Sequence, residues 1–168
     1  MTIEIPLTQE QVAVVDNCDG DLLDFKWCAM RRWNIFYAVR NVPANTQSGY
    51  TLELMHRVIL SRKLGRPLHE GEVCDHIDGD GLNNTRANLR VATNAENMRN
   101  SRRRAHGRSG YKGASWHRTN RRWQARINVN RKQIYLGYYD TPEEAHAAYC
   151  AAAEKYHGEF ANTGAVQS

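Results

Sequence analysis

Residues 74–100, CDHIDGDGLNNTRANLRVATNAENMRN, concentrate side chains that could carry out a reaction. His76 directly follows Asp75, and Asn88 and Asn97 come later in the same stretch. An imidazole with an ordinary pKa of about 6.5 is largely neutral at physiological pH and can take a proton from water. Carboxylate and amide oxygens are ligands that Mg²⁺ and Mn²⁺ accept. A base beside such ligands suits the hydrolysis of a phosphodiester bond.

The flanking residues predict a hairpin and a helix that position these side chains. GEVCDH is typical of a strand, IDGDGLNNTRA of a loop and NLRVA of a second strand, and Thr93 followed by Glu96 predicts a capped helix start. We expect the end of the first strand to lie beside the first turn of this helix, so that Asp75, His76 and Asn97 converge. Adjacent residues of a regular strand face opposite ways, so the strand must end or twist at His76.

Asp75, His76, Asn88 and Asn97 resemble the motif of HNH (ββα-metal) nucleases, in the variant with asparagine at the last position. Asn88 precedes Asn97 by nine residues, as in that motif. The resemblance implies that His76 is the catalytic general base and that Asn88 holds the loop through backbone hydrogen bonds. It also implies that Asp75 and Asn97 bind one catalytic Mg²⁺ or Mn²⁺, whose coordination is completed by water and substrate phosphate.

Other interpretations of this stretch carry less weight. DGDG at residues 78–81 is found in EF-hand loops, but Leu82 stands where such a loop needs a third oxygen ligand. A polar turn with a solvated His76 leaves the two later asparagines without a role. His56, in the preceding segment, is interpreted as structural. The asparagines interpreted as turn, cap or phosphate-contact residues are Asn83, Asn84, Asn94 and Asn100.

Charge is distributed unevenly along the chain. Residues 1–98 hold 10 Lys/Arg against 13 Asp/Glu, whereas residues 99–168 hold 13 against 5. Between Arg99 and Tyr139 there are twelve Lys and Arg and no acid. Such a stretch is typical of proteins that bind a polyanion, although a solvated basic face would have the same composition. RNSRRRAHGRSG within it predicts a basic linker.

A second folded unit is predicted after this linker. YKGASWH, RWQARINV and KQIYLGYY alternate as antiparallel strands do, and Asn130 with Arg131 predicts a two-residue turn between the last two. Thr141 and Glu144 then predict a capped helix that ends at Gly158. Its many alanines allow close packing on the sheet.

YKGASWH, RWQARI and IYLGYYDTPEEAHAAYCAAAEKYHGEFANTG resemble the AP2-type DNA-binding domain, within residues 111–164. The resemblance implies that the outer face of the sheet enters the DNA major groove. Ser115 and Asn128 stand where that family more often has arginine, so its base preference is not expected to carry over. Trp116 and Trp123 are expected in the core. The residues expected to contact DNA, including the linker arginines, are Arg99, Arg102, Arg103, Arg104, Arg108, Lys112, Ser115, His117, Arg118, Arg121, Arg126, Asn128, Gln133 and Tyr135.

The first 50 residues show no catalytic motif. IEIPL, VAVVD, FKWCAMRRW and FYAVRNV predict short β segments, and MHRVILSRKLGRP after them predicts a short helix. The presence of Arg31, Arg32 and Arg40 is explained equally well by contact with a phosphate backbone and by ordinary solvation.

Composition excludes several other classes of protein. Four scattered cysteines form no CxxC pair, so neither a structural zinc ribbon nor a secreted disulfide framework is expected. No apolar run reaches the roughly 18 residues that span a bilayer, and the N-terminus lacks the features of a signal peptide. We therefore expect an intracellular protein with no membrane partner, in the cytoplasm of a bacterial host if it is phage-encoded.

These observations predict an α+β fold in four parts. They are an N-terminal β-rich module at 1–50, an HNH ββα-metal unit at 51–104, a basic linker at 105–110 and an AP2-like three-stranded antiparallel sheet with one helix at 111–164. This order resembles phage and intron-encoded HNH homing endonucleases. The resemblance implies a site-specific, metal-dependent endonuclease that nicks one strand of duplex DNA as a monomer. Two alternatives stay open: a non-enzymatic DNA-binding regulator, and a nuclease with little sequence preference or one that acts on structured RNA.

Overall fold

The structure, a computed structural model, describes residues 1–100, 109–130 and 132–163, with only the backbone at Arg99. The chain divides into two compact units, residues 1–97 and residues 98–168. Small antiparallel sheets are combined with short helices, so the predicted mixture of helix and strand is confirmed. No helix in the described part of the chain is long and apolar enough to cross a membrane.

The first unit contains three small antiparallel sheets. Its elements are β1 (Thr2–Pro6), β2 (Val12–Asp16), a 3-10 helix (Asn17–Asp24), β3 (Cys28–Arg32), β4 (Ile35–Pro43), β5 (Tyr50–Leu54), α1 (Met55–Leu64), β6 (Glu72–His76), β7 (Leu89–Thr93) and the start of α2 (Asn94–Asn100). β1 pairs with β2, β3–β4–β5 form one sheet, and β6 pairs with β7. The β segments and the helix predicted from the sequence are confirmed, whereas β5 and the 3-10 helix were not predicted.

One hydrophobic core joins the N-terminal strands to the segment that carries His76. The buried side chains of this core are Ile5, Ala13, Val15, Leu22, Trp27, Ala38, Met55, Ile59, Leu60 and Leu89. They come from both sides of the boundary predicted at residue 50. A segment of that size buries too little apolar surface to be stable by itself, which is a physical reason for the shared core. The boundaries at residues 50 and 104 stay predictions.

The second unit is a three-stranded sheet covered by a helix. Its elements are β8 (Ala114–His117), β9 (Arg122–Val129), β10 (Lys132–Tyr139), α3 (Pro142–His157) and a 3-10 turn (Gly158–Phe160). The sheet order is β10-β9-β8, and Ala145 of α3 packs on Ala114 and Ala125. The capping box of Thr141 and Glu144 is confirmed.

The turn and one strand of this sheet depart from simple alternation. Asn130 has a φ of 49°, as expected for the first turn residue, and Arg131 lies outside the described residues. A bulge between Tyr135 and Gly137 places Tyr138 opposite Gln124, with its ring 5.2 Å from that of Tyr135. Strand parity alone did not predict this, because one extra residue reverses the facing of those after it.

Trp116 does not lie in the core, so the prediction for this residue is wrong. Its side chain is 39% exposed. It pairs with Trp123 in the register, and the two ring centroids are 5.3 Å apart. Trp116 stands near the end of a short edge strand, where the helix does not cover both faces of so large a ring.

Candidate functional site

His76 is the last residue of β6 and is only 7% exposed. Its ring centroid lies 5.1 Å from that of His56 and 6.0 Å from that of Tyr37. Burial lowers the pKa of His76 below its ordinary value, and this effect is partly opposed by Asn84 and by nearby aspartates. The imidazole is therefore neutral at physiological pH, which is the form that accepts a proton.

The ring of His76 is oriented by Asn84, a contact that the sequence did not reveal. Nε2 of His76 lies 3.3 Å from Oδ1 of Asn84, which can only accept a hydrogen bond. Nδ2 of Asn84 donates to the carbonyl of Leu82 at 3.1 Å, which fixes the amide orientation. His76 therefore donates from Nε2, and the neutral ring has its basic lone pair on Nδ1. Asn84 is fully buried and so is not a phosphate contact.

Asn88 holds the loop that follows β6. Its Oδ1 accepts from the backbone N–H of Asp78 at 3.1 Å, and its Nδ2 donates to the carbonyl of Asn83 at 2.8 Å. Its own carbonyl accepts from the N–H of Ile77 at 2.9 Å. These bonds tie both ends of the loop to one buried side chain and its backbone.

The N-terminal strands brace the same loop from another side. The carbonyl of Val14 accepts from the N–H of Asn84 at 2.7 Å. The guanidinium of Arg86 donates to buried Asp19 at 2.8 and 3.0 Å. Burial would raise the pKa of Asp19, but hydrogen bonds from Arg86 and Arg62 hold it below its ordinary value. Residues from the first strands and the 3-10 helix therefore fix the residue that contacts His76.

Gly81 allows the loop to approach β4 closely. A Cβ at this position would lie 2.4 Å from the carbonyl oxygen of Phe36 and 2.7 Å from the ring of Tyr37. Any side chain here would push the loop away from the ring that packs against His76. The absence of a side chain at Gly81 therefore allows the loop to contact the sheet.

Asp75 is buried in β6, with 2% exposure. Its Oδ2 accepts from Nε of Arg90, its cross-strand partner, at 2.8 Å. Asp75 and His76 thus contact different neighbours at the end of β6. The sequence predicted that this strand must end or twist at His76, and β6 ends there.

Asn97 lies in α2, which begins after the predicted capping box. Thr93 and Glu96 form this box, since the N–H of Thr93 donates to the Glu96 carboxylate at 2.7 Å and the N–H of Glu96 donates to Oγ1 of Thr93 at 3.3 Å. Thr93 pairs with Glu72, so α2 starts at the opposite end of β6 from His76. The expected contact between the strand end and the first helical turn is wrong, because the second strand of a hairpin returns to the start of the first. Convergence of Asn97 with Asp75 stays a prediction.

The side chains of Asp75 and Asn97 are of the types that bind a hard divalent cation. Among the described residues, no three or more His, Cys, Asp or Glu side chains are grouped to hold a metal ion. Mg²⁺ is commonly held through one or two protein oxygens, together with water and substrate phosphate. One carboxylate and one amide oxygen therefore suit Mg²⁺ or Mn²⁺, and lack the nitrogen and sulfur ligands that zinc prefers.

The outer face of the second unit carries most of the predicted DNA contacts. The residues exposed there and in the adjoining turn are Ser115, Arg118, Arg121, Arg126, Asn128, Gln133 and Tyr135. Lys112 and His117 are half-buried. The linker residues Arg102, Arg103, Arg104 and Arg108 lie outside the described residues, as does the side chain of Arg99.

Two polar side chains on this face contact each other across the strands. Nη1 of Arg126 donates to Oε1 of Gln133 at 3.0 Å. They line a shallow depression with Tyr135, Tyr138 and Gln124, the last of which is only 5% exposed. Strand parity correctly put Gln124 on this side but did not reveal that neighbouring rings bury it.

Comparisons with known proteins match both parts of the chain. The family model described as HNH endonuclease matches residues 53–99, and that of the AP2 domain matches residues 109–159. Protein 3.8 of Escherichia phage T7 is 35% identical over 95 residues, which cover 56% of this chain and 78% of the phage protein.

Plant proteins match the second part of the chain only. The ethylene-responsive transcription factor WRI1 of Arabidopsis thaliana is 49% identical over 59 residues, covering 34% of this chain. The AP2-like ethylene-responsive transcription factor ANT of the same plant is 46% identical over 59 residues, again 34% of this chain. The match spans 14% and 11% of these two plant proteins, so the likeness extends to one domain of each.

Proposed function

The chain belongs to the HNH endonuclease family and carries an AP2 domain after its HNH segment, and on this premise we propose that it is a site-specific, divalent-metal-dependent DNA endonuclease. It hydrolyses a phosphodiester bond and nicks one strand of its target. The observation that carries the proposal is the buried, neutral His76, whose Nε2 is engaged by Asn84 at 3.3 Å. This contact leaves the basic lone pair on Nδ1, as a general base requires.

His76 and the residues around it have separate roles in the proposed reaction. His76 takes a proton from the attacking water, and Asn84 keeps its ring in the required tautomer. Asn88 and the N-terminal strands hold the loop, which limits the motion of Asn84. Asp75 and Asn97 would hold a divalent cation, whose chemistry when bound is to stabilise charge on the phosphate and on the leaving oxygen. The first unit thus acts as a ββα-metal nuclease.

The second unit supplies recognition of duplex DNA. The outer sheet face presents Arg126 held by Gln133, and an arginine side chain in the major groove can make two parallel hydrogen bonds to one guanine edge. The basic residues of the segment 99–110 add affinity through phosphate, which carries no sequence information. A sheet that fits a major groove favours duplex DNA over A-form RNA, whose major groove is too narrow.

Plasmid cleavage tests this function directly. Supercoiled plasmid carrying the target should convert to open circle with Mg²⁺ or Mn²⁺ and stay intact with EDTA. Binding without cutting under every metal would favour the regulator, and faster cutting of structured RNA would favour the RNA nuclease. Linear product that appears together with open circle, at a rate that rises as the square of protein concentration, would show that two copies act together.

Replacing Asn84 should lower turnover without weakening DNA binding. We expect Asn84→Leu to reduce kcat about ten- to hundredfold, the range for loss of one hydrogen bond to a charged group, because His76 becomes charged during the reaction. The KM should be unchanged, because Asn84 is fully buried and is not a phosphate contact. Asn84→Asp retains an acceptor oxygen and should restore part of kcat.

The ¹⁵N shifts of the His76 ring provide a readout independent of activity. Wild type and Asn84→Asp should show the tautomer protonated at Nε2, and Asn84→Leu should show a mixture. A raised KM with an unchanged tautomer in Asn84→Leu would contradict the positioning role.

Arg126 and Gln133 should determine preference at the same base pair. We expect Arg126→Ala to relax selectivity at one or two positions by roughly 1–3 kcal/mol, the range for a bidentate contact to guanine. Gln133→Ala should relax the same positions by less, and the double variant should fall short of the sum, because the two side chains contact each other. Selection from a library of duplex sites measures these preferences.

Lys132→Ala is the matched control for these variants. Lys132 is exposed on β10 at the opposite parity from Gln133, so its loss should leave base preference unchanged, and any change in affinity should be equal on all sequences. If Arg126→Ala behaved in the same way, Arg126 would be a phosphate contact.

A further inference from the structure

The turn between β3 and β4 exposes the side chain of Trp33 at a backbone position that disfavours a large residue. Trp33 is 96% exposed. It occupies the first position of a two-residue turn with a φ of 58°, a conformation in which glycine is favoured and a bulky residue is strained. Neither burial nor backbone geometry accounts for tryptophan here. Strained residues of this kind cluster at binding and catalytic sites.

The surrounding sequence is basic within a unit that is otherwise acidic. Residues 25–52 contain four Lys and Arg and no Asp or Glu, although residues 1–98 hold more acids than bases. Arg40 is engaged by Glu53, and its guanidinium lies 3.9 Å from the centroid of the Phe25 ring. Arg31 and Arg32 are exposed and immediately precede Trp33 in the chain. The turn therefore presents an exposed ring next to two cations.

The turn extends from the strand that packs against His76. Tyr37 of β4 contacts the His76 ring, with centroids 6.0 Å apart. Arg32 pairs with Ile35 and so lies on the same face of the hairpin as Tyr37. Burial raises the pKa of Tyr37, and the charge of Arg32 partly opposes this effect. Trp33 is four residues from Tyr37, which corresponds to about 13 Å along an extended strand. A duplex whose phosphate lies at His76 would pass within reach of the turn.

We propose that this turn is a DNA-contact site beside the cleaved phosphate, in addition to the AP2 face. The ring of Trp33 stacks against a base next to the cleavage position and partly unstacks it. Arg31 and Arg32 bind neighbouring backbone phosphates. The inference rests on the proposed endonuclease function, because His76 defines where the phosphate lies. Base stacking on an aromatic ring and insertion of an apolar wedge are established ways of holding nucleic acid.

Trp33→Gly separates a role in binding from a role in folding. Glycine relieves the positive φ, so the melting temperature should stay equal or rise. Removal of the ring should at the same time lower affinity for a duplex spanning the mapped cleavage position, and kcat/KM, by about ten- to hundredfold. Trp33→Phe, which keeps a smaller ring, should lose less. Stability and affinity that change in opposite directions cannot arise from a structural residue.

Tyr50→Ala is the matched control. Tyr50 is an exposed aromatic residue, 59% exposed, on β5 of the same sheet, and it pairs with Pro43 at the far end of β4 from Trp33. Its loss should leave affinity unchanged. The fluorescence of 2-aminopurine placed beside the cleavage position should change when wild type binds in EDTA, and should not change with Trp33→Gly. Wild-type affinity and a wild-type fluorescence response in Trp33→Gly would overturn the proposal, as would an equal loss in Tyr50→Ala.

These outcomes distinguish this inference from the proposed function. If wild type cuts plasmid and Trp33→Gly cuts it with an unchanged kcat/KM, the endonuclease stands and the contact site is wrong. If wild type cuts no duplex, duplexes selected from the library for binding in EDTA still report affinity: a Trp33-dependent loss upholds the contact, and no loss overturns it.

Discussion

His76→Ala is expected to abolish cleavage while affinity for DNA stays within a few-fold of wild type. Loss of a positioned base typically costs ~10²–10⁴ in rate. His76 is 7% exposed and contributes little surface to a ligand, so binding should depend on other residues. Single-turnover conversion of supercoiled plasmid at saturating protein measures the rate, and electrophoretic mobility in EDTA measures affinity. Turnover like that of wild type would disprove the mechanism.

His56→Ala is the control for the structural cost of removing a buried imidazole. His56 is 8% exposed, and its ring lies 5.1 Å from that of His76. Burial, with a smaller contribution from His76, lowers the pKa of His56 to about 3. Loss of either ring leaves a comparable cavity, so both variants should lose stability, but His56→Ala keeps the base and should cleave far faster than His76→Ala. Added imidazole should restore part of the rate to His76→Ala alone.

Asn97→Ala is expected to raise the metal concentration needed for half-maximal cleavage by at least about tenfold. Even residues that only hydrogen-bond to metal ligands commonly contribute that much to metal affinity. Asn97→Asp should hold the metal as well as wild type or better, because it replaces an amide oxygen with a carboxylate. The measurement is the cleavage rate over a titration of Mn²⁺ and of Mg²⁺.

Asn94→Ala provides the control for this pair of variants. Asn94 is an exposed asparagine on the same helix, so its removal should leave metal dependence unchanged. If Asn97→Ala lowered the rate by the same factor at every metal concentration, Asn97 would not be a ligand. Opposite effects of alanine and aspartate at this one position cannot arise from a change in helix stability.

Local sequence was sufficient to predict most of the elements. Both capping boxes were predicted because their bonds join residues three apart, as in Thr93 with Glu96 and Thr141 with Glu144. The strands of the second unit were predicted from alternation, which depends only on each strand having one face toward a core. The bulge in β10 was missed because alternation counts residues and cannot detect an extra one.

The candidate site residues were also named from the sequence, since residue type and spacing carry that information. His76 could be named because an imidazole has the chemistry that the proposed reaction requires, and Asn88 because the resemblance to the HNH motif implied that it holds the loop. The position of Asn97 could not be derived in this way. The register that pairs Glu72 with Thr93 puts the start of α2 away from His76, and a hairpin register depends on which side chains the whole unit buries.

Only the tertiary structure revealed how His76 is set up for its proposed role. Its tautomer depends on Asn84, which is held by Val14 from a strand about 70 residues earlier in the chain. Its lowered pKa comes from burial, to which the rings of Tyr37 and His56 contribute from other elements. A sequence pattern reports neighbours along the chain, whereas desolvation and orientation depend on every group within a few ångströms in space. Distant segments supply those groups only when the shared core brings them together.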